Sequence, residues 1–207
     1  MTTLTPPRPL HVSLPPVPAR HAAPLTGTRP ARAGTRPPFR VVLDAPAAPT
    51  DTSGPRPVEL HDASEVAVAL AAARAEVVRL GFSSRLPTRS AVSALVAQLD
   101  EEVAAMGRRR SDVTVLLDVE VVVAADDASA RAMSRRLACL DAMAGIAWRA
   151  DAGRIVAPAD QVLVEATRLA REVGADGVVL VPLADSSDLL RALLADAHDP
   201  REAAIPA

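Results

Sequence analysis

The 207-residue sequence has one cysteine, one tryptophan and two phenylalanines, and it contains no tyrosine, lysine or asparagine. With Phe39, Phe82 and Trp148 as its entire aromatic set, the chain offers no stacking platform for single-stranded nucleic acid and no cage for an organic cation. Its core has to be aliphatic. The single cysteine, Cys139, excludes an internal disulfide. No run of 18 uninterrupted apolar residues occurs, so no transmembrane helix is expected. The start, MTTLTPPRPL, lacks the apolar stretch of a signal peptide, which points to a cytoplasmic protein. A net charge of −2 argues against affinity built on phosphate neutralisation, so neither nucleic acid nor a membrane is an expected partner. Exclusive use of arginine among Ala and Val bears the mark of a GC-rich coding sequence, and arginine is therefore not read as a selected anion clamp.

Proline is plentiful but unevenly spread: fourteen of 19 lie in the first 57 residues, and Arg8, Arg20, Arg29, Arg32, Arg36 and Arg40 all precede the first carboxylate, Asp44. Residues 1–38 form a basic, Pro-rich extension expected to be disordered, because proline removes backbone donors and no apolar period recurs there. Residues 39–198 are expected to form the folded domain, with residues 199–207 as a tail.

Within the domain, short apolar runs alternate with helical patterns. Phe39–Leu43 reads as a strand and residues 45–57 as a loop. Asp62 and Glu65 have the spacing of a capping box for a helix that presents Val66, Ala69, Leu70 and Ala73 on one face. Glu76–Phe82 is the next strand. A longer helix follows, marked by Val92, Leu95, Val96, Leu99, Val103 and Met106 and stopped by Gly107. Val113–Val123 is the strongest strand candidate. A helix opening at Asp126 or Asp127 runs through Met133, Leu137, Leu140 and Met143 to Gly145. Arg154–Val156 reads as a short strand, and Pro158 opens a helix with Val162, Ala166, Leu169 and Val173 inward and Gly174 at its end. Gly177–Val181 is a strand, and Ser186 or Ser187 caps a last helix. This alternation predicts an α/β fold with a parallel sheet. Continuous Val/Leu strands predict burial on both faces, and five strands are too few for a whole eight-stranded barrel.

Asp118 and Glu120 stand two apart on the best strand and so share a face. Two carboxylates on a buried face would raise a pKa and make a general acid or ligand anchor; alternatively the face is solvated or pairs them with arginines. His11, His21, His61 and His198 are scattered at no ligand spacing, and no metal site is expected. Cys139 reads as a small buried hydrophobe in mid-helix, and Arg108-Arg109-Arg110 as a solvated loop. Gly174-Ala175-Asp176-Gly177 precedes a strand, so it reads as a helix stop and not a phosphate loop. The amides near Ala159 and Asp160 are the better anion candidate.

The order of segments from Arg36 to His198 resembles the C-terminal half of luciferase-like, flavin-dependent monooxygenases. The resemblance is carried by Arg36–Asp44 entering a strand, Ala75–Leu80 after an Ala-rich helix, Val115–Val123 leading into Asp126–Arg131, and Gly153–Val162 leading to Gly174–Pro182. It implies a partial (β/α) TIM-barrel-like fold, an oxidoreductase activity, and FMN or reduced flavin as cofactor. At the position of the family's phosphate loop stand Asp44-Ala45-Pro46. A carboxylate and a proline without N–H oppose phosphate binding there, and the loop glycine is absent. No catalytic residue carries over. The alternative expectation is a noncatalytic interaction domain or companion subunit. In either case the open sheet edge predicts a homo- or hetero-oligomer.

Overall fold

The computed structural model describes residues 39–44, 56–146, 152–183 and 186–198. The expectations for residues 1–38, 45–55 and 199–207 and for Trp148 lie outside them. Six strands and five helices follow in the order β1 (Arg40–Leu43), β2 (Val58–Leu60), α1 (Glu65–Arg74), β3 (Val77–Leu80), α2 (Arg89–Ala105), β4 (Thr114–Ala124), α3 (Asp127–Met143), β5 (Arg154–Pro158), α4 (Ala159–Val173), β6 (Gly177–Pro182) and α5 (Ser186–His198). The α/β class and the parallel sheet with alternating helices are therefore as the alternation required. The strand the sequence did not signal is β2, three residues long and preceded by prolines.

Every pairing is parallel, and the sheet runs β2-β3-β4-β6-β1 with β5 also on β4. The eleven-residue strand β4 is the hub. Its backbone alternates sides: Thr114 and Glu120 donate to Glu76 O and Gly153 O, whereas Val115 and Val121 accept from Asp176 and Leu183. Hence β3 and β5 share one flank of β4, the first along residues 114–117 and the second along 120–124, while β6 holds the other flank. The first strand, β1, lies beyond β6, the last. Among the described residues, β1 and β2 at the two ends of the path, and β5 beside β4, are each paired on one side only, so the sheet is unclosed.

One face of the sheet carries the core. Val78, Leu80, Val115, Leu117, Val119, Val121, Val178 and Leu180 pack there against Val68, Ala71 and Ala72 of α1, the Val92–Val103 stripe of α2, Val162, Ala166, Leu169 and Val173 of α4, and Leu190 of α5. Right-handed crossovers place these helices on the same side. Burial on both faces, expected from the apolar strands, forms only in part: Leu116, Val122 and Val179 are buried on the side away from this core, but the charged positions there are not. The opposite face bears Val42, Glu59, Arg79, Asp118 and Glu120, all partly exposed, and α3, which contributes nothing to the shared core, buries only Ala130 and Asp141.

Several local expectations are corrected. Helix α1 begins at Glu65 with Ser64 as N-cap, and Asp62 accepts the Ser64 amide at 3.0 Å instead of forming a capping box with Glu65. Its buried residues are Val68, Ala71 and Ala72, while Val66 and Leu70 are 80% and 52% exposed. An Ala-rich helix has apolar atoms all round, so contact with α2 chooses the face. Cys139 is exposed, because α3 barely packs. Arg108-Arg109-Arg110 is not simply a solvated loop: Arg108 donates to Ala72 O and Ala75 O at 2.6 and 2.7 Å, satisfying the end of α1. Arg110 pairs with Asp100 and, at 2.8 Å, with the buried Asp176. The helix stops at Gly107, Gly145 and Gly174 are as read, all with positive φ.

Candidate functional site

The polar face of the sheet gathers its charges where β2, β3 and β6 end. In parallel α/β folds, ligands bind at the carboxyl ends of the strands. A cavity of about 190 Å³ opens there, lined by His61, Gly81, Phe82, Asp118, Glu120, Gly153 and Val181. His61 follows β2, Gly81 and Phe82 follow β3, and Asp118 and Glu120 rise from the middle of β4. The two carboxylates singled out by their spacing thus do reach one cavity.

Both are held by arginines from neighbouring strands. Arg79 on β3 grips Asp118 through Nε at 2.9 Å and Nη2 at 2.8 Å, and its Nη1 reaches Asp44, just past β1, at 3.3 Å. Arg154 on β5 binds Glu120 through Nη2 at 2.9 Å and Asp141 of α3 through Nη1 at 2.7 Å. Register explains the second pairing, since Arg154 stands directly opposite Glu120. The Arg154 side chain is 6% exposed and Asp141 is 7% exposed, so α3 is anchored to the sheet by a nearly dry ion pair. Two-point guanidinium–carboxylate contacts fix geometry as well as charge.

Burial pushes the Asp118 carboxyl above the usual aspartate range, against the opposing hydrogen bond and charge of Arg79. Arg79 is held more firmly protonated, first by its bond to Asp118. Burial alone would lower the Arg154 value, but its bonds to Asp141 and Glu120 raise it. His61, exposed, places Nε2 3.4 Å from Glu59. A Cβ on Gly153 would stand 2.5 Å from the Phe82 ring, so glycine here lets that ring close on the rim.

The spacing rule found Asp118 and Glu120 but missed Asp44, Arg79, Asp141, Arg154 and His61. An arginine inside a four-residue apolar strand, Val77-Val78-Arg79-Leu80, was the available signal. The anion candidate at Ala159 and Asp160 adjoins a roomier cleft, about 400 Å³, between α3 and β5, lined by Asp127, Arg131, Ser134, Arg135 and Gln161. Those α3 side chains are exposed, so the half-buried, convergent charges of the strand-end cavity make the better site. Among the described residues, no group of three or more His, Cys, Asp or Glu is placed to hold a metal ion, and no helix is long and apolar enough to cross a membrane.

No protein-family model and no curated protein matches the chain. Its solved structural neighbours are luciferase-like flavin- or F420-dependent proteins that share about two thirds of this chain. EDTA monooxygenase of Chelativorans sp. BNC1 is 16% identical at a TM-score of 0.48, over 68% of this chain and 44% of that one. A riboflavin lyase, solved with modified FMN and riboflavin, is 15% identical at 0.49, over 67% and 43%. Flavoprotein 390 is 15% identical at 0.49, over 68% and 64%. The chain spans less than half the length of the first two. At these scores the likeness is one of strand and helix succession, and it assigns no activity.

Proposed function

We propose that the chain is a relative of the luciferase-like flavin-dependent oxidoreductases whose strand-end cavity takes a small polar ligand, and that it does not bury a flavin as an isolated chain. The observation that carries this reading is the polar cluster Asp44–Arg79–Asp118 with Glu120–Arg154, set at the strand ends on the face that a closed barrel would enclose. Its cavity, about 190 Å³, falls below the roughly 300–1,000 Å³ that buries a ligand of cofactor size. The loop that leads from β2 into α1, His61-Asp62-Ala63-Ser64, offers a further carboxylate, already bound to Arg85 at 3.1 Å, and no glycine. Titrating the chain with FMN and with F420, read by absorbance and fluorescence, should show no stoichiometric binding at micromolar concentration. Tight one-to-one binding overturns the proposal.

A second reading, a noncatalytic interaction domain, is favoured by one fact: both cavity carboxylates are bound by arginines and so already serve the fold. Asp118→Asn separates the two. In the ligand-binding reading it changes the affinity or turnover of a small polar ligand, whereas in the interaction reading it alters only stability.

A further inference from the structure

We propose that two copies of this chain associate edge to edge, the free flank of β1 in each pairing with the free flank of β2 in the other, so that two open sheets enclose one polar interior. The inference rests on the unclosed sheet and not on flavin binding. Arg40 and Asp44 donate their amides to Asp176 O and Leu180 O of the β6 side, at 3.1 and 2.9 Å. Backbone groups alternate along a strand, so Val41 and Leu43 direct theirs away from β6, to a flank with no strand among the described residues. Such a flank is a template for another strand.

A second copy fits both flanks at once. All strands are parallel, so β1 and β2 run in the same direction. A two-fold axis along that direction brings β1 against β2 twice, in the parallel sense the sheet already uses, and satisfies both of these flanks. A single added strand would satisfy one flank and create another. The faces also agree. Val41, Leu43 and Val58 pack against the apolar core with Leu60 in it, so the apolar layer would continue across each junction. On the polar face the β1 flank exposes Arg40 and the β2 flank exposes Glu59, opposite in sign. Val42, on that face, is 42% exposed. Asp44, at the rim of β1 and bound to Arg79, would then be walled by the partner, which makes the cavity complete only in the pair.

Light scattering on the full chain after size exclusion should give twice the 21.5 kDa chain mass. Val42→Lys, which sets a charge at the junction and leaves the amides to β6 intact, should give a monomer with unchanged circular dichroism. Should that variant unfold, cross-linking decides. In a Cys139→Ser background, chains carrying Val42→Cys mixed with chains carrying Glu59→Cys should join through a short bis-maleimide, and neither should join alone. A monomeric wild type overturns the inference. So does a dimer that Val42→Lys leaves intact and that gives no mixed cross-link; the exposed Met133, Leu140 and Met143 of α3 would then be the surface to test. A dimer that binds no flavin supports this inference and bears separately on the cofactor.

Discussion

Gly177 lies so close to Arg40 that a Cβ on it would stand 2.4 Å from the Arg40 carbonyl oxygen. The neighbour is backbone and cannot swing away, so the contact between the first strand and the last tolerates glycine alone. Gly177→Ala should push β1 off β6, lowering stability by roughly 1–3 kcal/mol and speeding amide exchange in residues 40–44 before it does so in β3 and β4. Unchanged exchange at β1 would show that the strand adapts.

Loss of Arg79 should be costly, because it serves two carboxylates. Arg79→Met leaves Asp118 half-buried and unpaired, a loss of roughly 1–3 kcal/mol, below the cost of breaking a fully buried pair because a quarter of Asp118 still meets water. Arg79→Met with Asp118→Leu should recover part of it, which chemical denaturation of the four forms can read.

Asp118 should titrate above the usual aspartate range, since burial raises it. A carboxyl whose folded value exceeds its unfolded value binds its proton better when folded, so its contribution to stability is present at low pH and lost as pH rises through the folded value. Asp126 has the opposite sign: the Ser129 amide lowers it, so its stabilisation exists above the unfolded value and vanishes on acidification. Carboxyl NMR titration checks both, and removal of Arg79 should move Asp118 further up.

Gly174→Ala should cost on the order of 1 kcal/mol, the strain of a left-handed residue, given φ of 84° at the end of α4. Gly153→Ala acts differently: at ordinary φ it drives against the Phe82 ring. Displacing Phe82 should alter the strand-end cavity more than the melting temperature. Small-ligand binding set beside a thermal melt separates these effects.

The class of fold was legible because α2 and α4 carry clean apolar stripes and the strands between them are apolar runs. Face choice in α1 was not, since an Ala-rich helix is apolar all round and packing made the choice, burying Ala71 and Ala72 and leaving Val66 and Leu70 outside. Position of β1 was not legible either, because the sequence neighbour of β1 is β2 while its spatial neighbour is β6. The site followed the same division. Asp118 and Glu120 share a face by strand geometry alone, but Asp44 and Arg154 arrive through tertiary register, which no local spacing encodes.

The placement of β1 also has a kinetic side. Strands β2, β3 and β4 join neighbours in the chain, whereas Arg40 must find Gly177 near the other end of the domain. Such a contact pays a large loop-closure entropy before it is rewarded. The β1–β6 pairing should therefore form late in folding, after the β2-α1-β3-α2-β4 segment has condensed. It should also be the first to open in the native state, so the strand that sets the limits of the sheet is also the one held on the shortest lease.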